Sequence, residues 1–305
     1  MLRSDTAGDP IHGHRWSRRS TAKLSRALAA HGHHACARSV ARLLRAMGYS
    51  LRVNRKLIAP RTHPRRDEQF RHIAALRSAL APTVPAVSVD AKKKELVGRF
   101  RNPGTAWSDD CVEVFDHDYP SWATGKAVPY GIYDLQANTG WVGLGLSHDT
   151  PYFAVDCIEA WWVAEGRQRY PGAGELLVFA DSGGSNGINP HAWKHALQER
   201  LCNRHSLTVT VAHYPSGCSK FNPIEHRLFS EISKNWAGVP LDSVETILNY
   251  IRSTTTKTGL NVSAELIEAQ YQAGIKITAQ QLAELNLTRD NLLPRLNYTI
   301  APNSS

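Results

Sequence analysis

Apolar residues recur along this chain with two different periods, and the switch between them divides it into parts. Over 20–30 the period is helical. Leu24 and Leu28 lie four apart, Ser20 stands where an N-cap belongs, and Gly32 follows the end. Over 35–47 it is helical again, with Val40, Leu43, Leu44 and Met47 at i, i+3, i+4 and i+7 and a stop at Gly48. The period then drops to two. Tyr49, Leu51 and Val53 alternate with Ser50, Arg52 and Asn54, which predicts a short strand. Helix, turn, helix and strand over 1–58 give the outline of a winged helix-turn-helix. His31, His33 and His34 fall in the turn between the helices. Without a Cys or carboxylate at ligand spacing, they read as a polar turn rather than a metal site.

Two prolines, Pro60 and Pro64, mark a linker, and a helix over 67–80 follows with Phe70, Ile73, Leu76 and Leu80 on its apolar positions. Pro82 and Pro85 break it, so 59–83 reads as linker and helix. From 84 to 240 strands and helices alternate. Val87 and Val89 lead as a strand into Asp90, and 130–146 reads as a hairpin with Gly140 between its arms. A helix is expected over 150–165, then the unbroken apolar run 176–180 as a buried central strand ending at Asp181. A helix over 189–202, a strand over 207–211 and a helix opened by Pro223 complete the series. This order predicts a mixed α/β sheet with helices on its faces. The remainder, 241–305, reads as a mainly helical tail.

Charge sharpens the division. Residues 1–66 carry 15 Lys and Arg against two acids, Asp5 and Asp9, whereas 67–305 carry the other 21 against 25 Asp and Glu. Arg38, Arg42 and Arg45 follow i, i+4, i+7 on the side of the second helix away from its apolar stripe, and Arg52 lies in the strand beyond. A basic block joined to a mildly acidic body fits a DNA-binding segment joined to a metal-dependent catalytic domain, although an ordinary solvated arginine face has the same pattern. No run approaches the roughly 20 apolar residues of a membrane span, and the start has no apolar signal core. The five cysteines are odd in number and scattered, which argues against a disulfide framework and for a reducing, intracellular compartment.

Candidate chemistry gathers on three acids. Asp90 and Asp181 each end a predicted strand, on the sheet edge where α/β folds bind ligands. Asp181 runs into Ser182-Gly183-Gly184-Ser185-Asn186-Gly187, a turn in which backbone can approach a phosphate. Equally, Asp181 suits a turn-forming Asp, and Asp90 a strand-end charge paired with Lys92, Lys93 or Lys94. Asn222-Pro223-Ile224-Glu225 has the form of a helix cap with an acid at N3. Glu225 also opens an i, i+3, i+4, i+7 series with Leu228, Phe229 and Ile232, which puts it at the edge of the packed face. Spacing alone leaves these two roles of Glu225 open.

Three blocks carry a resemblance that bears on the choice. They are Val87-Ser88-Val89-Asp90-Ala91-Lys92-Lys93-Lys94-Glu95-Leu96-Val97-Gly98, then Phe179-Ala180-Asp181-Ser182-Gly183-Gly184-Ser185-Asn186-Gly187, and then His213-Tyr214-Pro215 running on to Lys220-Phe221-Asn222-Pro223-Ile224-Glu225-His226-Arg227-Leu228-Phe229. Together they resemble the catalytic motifs of bacterial insertion-sequence DDE transposases, specifically the Azo-type family with the Rhodopirellula-type DDE domain, over about 15–276. Any one block is weak; the combination is specific. Ser216 and Cys218 stand where proline and threonine are usual, and Phe221 where tryptophan is usual. Family members also carry a further N-terminal helical DNA-binding segment that is absent ahead of Met1, so the resemblance implies a shortened copy.

The resemblance implies an RNase H-like domain in which Asp90, Asp181 and Glu225 hold two Mg²⁺ or Mn²⁺ ions, with Asp90 bridging them. The activity implied is cleavage of element ends and joining of the freed 3′-hydroxyl to target DNA. The partners implied are double-stranded DNA, as terminal repeats and as target, and further copies of the chain as a homo-oligomer on that DNA. Lys92, Lys93, Lys94 and Lys220 are expected either to contact phosphates or to be plain solvated lysines. Two other functions fit the same residues: an RNase H-like nuclease or resolvase that cuts without joining, and an inactive remnant that occupies element ends as a repressor.

Overall fold

In a computed structural model the structure describes residues 7–8, 15–16, 19–51, 64–105 and 110–303. The chain divides into two compact units, Met1–Ala59 and Pro60–Ser305.

The first unit contains α1 (Thr21–Ala30) and α2 (Ala37–Ala46), with a two-residue antiparallel pairing of Ala7–Gly8 and Arg15–Trp16. The Ser20 hydroxyl caps α1 by accepting from the Lys23 N–H at 3.2 Å, as a serine at this position does for an otherwise unpaired donor. The Ser25 hydroxyl ties α1 to the turn by donating to the Ala35 carbonyl at 2.6 Å. Leu24 and Val40 are buried, but Leu43 and Met47 are 52% and 59% exposed. The apolar stripe predicted for α2 is thus only partly covered among the described residues, where α1 shields a narrow face. Tyr49, Ser50 and Leu51 form no strand. Arg52 and the rest of the predicted strand, with the linker up to His63, lie outside the described residues.

The second unit begins with α3 (Arg66–Ser78). Among the described residues it is built on one sheet of nine strands: β1 (Ala86–Ala91), β2 (Glu95–Val97), β3 (Gly125–Asp134), β4 (Thr139–Gly145), β5 (Glu175–Ala180), β6 (Thr208–His213), β7 (Asn261–Ile267), β8 (Leu287–Arg289) and β9 (Asn297–Ile300). Their order is β8-β9-β6-β5-β1-β3-β4-β7, with β2 alongside β3. β1, β3 and β4 form an antiparallel meander, while β5 and β6 continue from the other side of β1 in parallel with it. The chain therefore leaves β1 in one direction and returns on its opposite flank, and β1/β5 is the crevice at which the strand order reverses.

Helices cover both faces. On one, α4 (Pro151–Trp161) and α5 (His191–Ala196) bury Phe153, Ile158, Trp161, Trp193 and Leu197 against Val87, Val89, Ile132 and Val178. On the other lie α6 (Ser230–Asn235), with the π-type turn Glu225–Phe229 that leads into it, and α7 (Val244–Arg252). They pack Leu228, Phe229, Ile232 and Ile247 on Tyr133, Val142 and Leu144. Two glycines set how closely that turn approaches. A Cβ at Gly131 would sit 2.5 Å from the Phe229 ring and 2.9 Å from Ile224, and one at Gly140 would strike Leu228.

Two expectations need correction. The hairpin turns at residues 135–138, where Asn138 takes a positive φ of 53°, so Gly140 lies inside β4 as a packing site and not at the turn. The tail after 240 is not mainly helical. It holds α7 and the short α8 (Ala279–Ala283), but also β7, β8 and β9, which extend the central sheet at both ends. In β7, Val262 and Ala264 point inward between the exposed Asn261, Ser263 and Glu265, a period-two pattern that only a sheet face can use.

Candidate active site

The register of β1 and β5 sets the geometry. Val89 pairs with Ala180 in parallel, so Asp90 and Asp181 follow as the next residues on adjacent strands at the same sheet edge. Glu225 reaches this edge from the opposite end of the chain, and Ser88 and Asn222 hold it there. The Asn222 carbonyl oxygen of the side chain accepts from the Ser88 hydroxyl, and its amide donates to the Val89 carbonyl at 3.2 Å and to Asp181 Oδ1 at 3.4 Å. Ser88 Oγ in turn accepts from the Ile224 N–H at 3.0 Å. The first turn of this helix is therefore capped by a serine of β1. Asn222 spends its side chain on the sheet instead of on its own helix, so the simple capping-box arrangement is not what forms. The turn at Glu225–Phe229 is π-type, a local widening that often accompanies functional positions.

The acids sense one another. Burial raises the Asp90 carboxyl, Asp181 beside it raises it further, the Ala91 N–H it accepts at 2.8 Å pulls the other way, and Glu225 and Asp149 add smaller upward pushes; the result is about 8. Asp181 is lifted by burial and then by Glu225, against the Asn222 amide, to about 6. Glu225 is raised by burial, opposed by His226 and Lys92. Such repulsion between neighbouring carboxylates is what a cation relieves. As a test of fit, the donors are all hard oxygen, in kind what Mg²⁺ or Mn²⁺ takes. In distance the set is open: among the described residues no three His, Cys, Asp or Glu side chains are gathered closely enough to hold a metal ion as they stand.

The predicted lysines divide. Lys92 is engaged, with its Nζ 3.0 Å from Glu95 Oε1 and 4.4 Å from the centre of the Trp236 ring. Lys93 and Lys94 are exposed beside it. Lys220 is exposed, with its ammonium 5.1 Å from the Phe221 ring centre. In the first unit Arg38, Arg42 and Arg45 are all exposed along α2. The three unusual positions in the third block have local partners. Phe221 meets Phe70 edge-on at 5.1 Å, with the Arg66 guanidinium over it, Cys218 Sγ accepts from Arg66 Nε at 3.3 Å, and Ser216 Oγ lies 3.3 Å from Ser182 Oγ. Phe221 thus docks the Glu225 turn on α3.

Several residues here escape a reading of the sequence. Asp149 follows β4, which runs parallel to β1, so it rises at the same edge; its Oδ1 is buried without a hydrogen-bond partner among the described residues. The fully buried Tyr130 hydroxyl likewise has no hydrogen-bond partner among the described residues and feels both Asp90 and Asp149. His213 ends β6. Burial pushes its imidazole down to about 4, so the ring is neutral, with Nδ1 donating to the Asp181 carbonyl at 2.8 Å and Nε2 accepting from the Tyr298 hydroxyl at 3.0 Å. The placing of acids after parallel strands is a signal that could have found Asp149; the His213–Tyr298 hydrogen bond spans 85 residues and leaves no such signal.

Buried acids thus gather at the switch point of a mixed α/β sheet, the place where such sheets bind ligands. The family model for the Rhodopirellula transposase DDE domain matches residues 1–302, and the chain belongs to that family. Among solved structures it is similar to a Mos1 transposase paired-end complex with left transposon end (15% identity, TM-score 0.44, covering 80% of this chain and 73% of that one). It is also similar to the mariner Mos1 paired-end complex with Mg (15%, 0.46, 80% and 73%) and the Mos1 strand transfer complex (14%, 0.45, 80% and 72%). A comparison with curated proteins gave no match. Among the described residues no helix is long and apolar enough to cross a membrane.

Proposed function

We propose that this transposase-family chain cleaves DNA at the ends of its element and joins the freed 3′-hydroxyl to target DNA, with Asp90, Asp181 and Glu225 holding two divalent cations. The observation that carries the reading is the adjacency of Asp90 and Asp181 on parallel strands at the β1/β5 crevice, with Glu225 within their field. The strand order β4-β3-β1-β5-β6, antiparallel and then parallel, supports an RNase H-like domain. When bound, Mg²⁺ or Mn²⁺ supplies activation of the attacking oxygen and neutralisation of charge at the phosphoryl group.

The protein's part is positioning. Asp90 and Asp181 are fixed by their strands, and Asp181 is held through its carbonyl by His213 and through Oδ1 by Asn222. Glu225 sits on a helical turn braced by Ser88, Gly131 and Phe221. Lys92, fixed between Glu95 and Trp236, lends positive charge to Glu225. Exposed Lys93, Lys94 and Lys220, with Arg38, Arg42 and Arg45 of the first unit and Arg52, are proposed to contact DNA phosphates. The 1–58 segment is proposed as the helix-turn-helix-like DNA-binding part, and the working form as a homo-oligomer on duplex DNA.

The test is a strand-transfer assay with element-end DNA, target plasmid and Mg²⁺. The reading expects joined products that vanish in EDTA. Cleavage without joining would mark a nuclease or resolvase, and binding without cleavage would mark a repressor.

A further inference from the structure

Three cations converge on one open cavity away from the acids. The cavity, of about 720 Å³, lies between α5 and the C-terminal strands and is lined by Lys194, Arg289, Arg295, His191 and Asn189. Lys194 is only 5% exposed, yet among the described residues its ammonium has just one hydrogen bond, to the Ile188 carbonyl at 2.8 Å, besides lying 5.3 Å from the Tyr298 ring centre. Arg289 donates to the Pro294 carbonyl at 2.9 Å, and Arg295 donates to Asn189 Oδ1 at 2.8 Å. Among the described residues none of the three is paired with a carboxylate; Asp290, next to Arg289, turns its carboxylate toward the Leu292 N–H and His72. Burying an ammonium without a counter-ion is costly, and here two guanidiniums face it as well. Burial and these two arginines lower the Lys194 ammonium to about 8, the mark of a positive charge that lacks its partner.

The place of the cavity suggests what the partner is. Arg289 ends β8 opposite Tyr298 of β9, level with Val211 and Val178; β8 runs parallel to β6 and β5, so it points toward the edge that carries Asp90 and Asp181 and stops three residues short of the level of Asp181. Three strand spacings of about 4.8 Å across the sheet and three residues of about 3.3 Å along it separate Arg289 from Asp181, roughly 17 Å in all. At about 3.4 Å of axis per step, that is about five nucleotides along one strand of duplex DNA. The two places are also joined physically: the Tyr298 hydroxyl, beneath Lys194, is hydrogen-bonded to His213, which holds the Asp181 carbonyl. We propose that Lys194, Arg289 and Arg295 form a pocket for a backbone phosphate of the bound DNA, flanking the position at which the carboxylates act. This deepens the transposase reading and rests on it for the identity of the anion.

The experiment is equilibrium binding of the full chain to a fluorescent duplex DNA across a KCl series in EDTA, where no cleavage contributes. The double variant Arg289→Ala/Arg295→Ala removes exposed charges and leaves the core intact; Lys257→Ala/Arg167→Ala, removing two exposed cations at the opposite sheet edge, is the control. Releasing one phosphate from the pocket should lower the slope of log K against log salt by about 0.9. Affinity at low salt should fall roughly tenfold, with the control unchanged. Equal slopes and affinities in the double variant and the control would overturn the proposal. A second arm follows thermal unfolding with sodium sulfate or inorganic phosphate. Stabilisation by those anions that the double variant loses, with no change in DNA slope, would assign the pocket to a free anion and likewise overturn it. Because slope is measured without Mg²⁺, a wild type that binds with the expected slope but never cleaves would refute the transposase chemistry and leave the pocket standing.

Discussion

The middle of the sheet and its β8 flank carry opposite, unbalanced charge. At β1 and β5 the acids Asp90 and Asp181 are buried together with Glu225 and push one another's carboxyls upward. At β8 and α5 the cations Lys194, Arg289 and Arg295 do the reverse, and the ammonium falls. Both arrangements work against folding, and each would be relieved by a partner that the other would repel: in the proposed reading, divalent cations in the middle and phosphate at the flank. A polyanion with cations at one phosphate meets both needs at once. Like charges held together without a counter-charge thus mark where an edge is built for something other than its own stability.

The largest expected effect separates the middle from the flank by activity. Asp181→Asn keeps size and shape but removes a ligand charge, and should reduce Mg²⁺-dependent cleavage by several orders of magnitude while duplex binding persists, measured by gel cleavage and anisotropy. Asp90→Asn and Glu225→Gln should match it, and pairing any two should add little, because the residues act as a unit. Asp110→Asn, exposed and outside the three blocks, should leave the rate near normal; a comparable loss there would dissolve the distinction.

A second contrast sets the cations of the flank against those of α2. Replacing Arg38, Arg42 and Arg45 of α2 by Ala should lower the salt slope of DNA binding by up to about 3, one for each phosphate that is no longer neutralised. It should leave the unfolding temperature almost unchanged, since all three are solvated. A fall in stability with no change in slope would make that face structural.

Smaller effects should appear in stability against pH, with opposite signs for the two places. Asp90 binds its proton more tightly folded, near 8, than unfolded, near 3.8, so its contribution makes the metal-free protein less stable as pH rises from about 4 to about 8. Lys194 binds its proton less tightly folded, near 8, than unfolded, near 10.5, so its contribution recovers stability between about 8 and 10.5. In EDTA, Asp90→Asn should therefore raise the unfolding temperature at pH 8 and lose its advantage at pH 4. Calorimetry showing Asp90→Asn destabilised at pH 8 would mean that the carboxylate is satisfied within the protein. The smallest effect expected is from Gly131→Ala, which should displace Phe229 and lower cleavage more than DNA binding, by shifting the turn that carries Glu225.

What the sequence discloses follows from how local each signal is. The strands under Asp90 and Asp181 are short apolar runs ended by an acid, and both stand within a residue of where their pattern puts them. The α2 arginine face is equally plain, since it depends on spacing alone. Strands β8 and β9 escape notice because three or four residues carry too little pattern, and they are strands only because β6 offers an open edge. β7 has a readable alternation, but Ala264, Glu265 and Leu266 within it are strong helix formers and obscure it. The bracing of Glu225 cannot be read at all: Ser88 and Asn222 are 134 residues apart, and neither looks exceptional in its own surroundings. The flank cluster draws on α5 and the two C-terminal strands, so its charge convergence exists only in the fold.

The central claim is that Asp90, Asp181 and Glu225 together hold divalent cations. Crystals of the protein soaked in MnCl₂, with anomalous data collected at the manganese edge, address it directly. The account expects two peaks about 4 Å apart at the β1/β5 crevice, with Asp90 between them and Glu225 drawn in to ligate one. It is contradicted by manganese bound elsewhere, or by a crevice without an anomalous peak in which Glu225 turns back onto the backbone at Asn222.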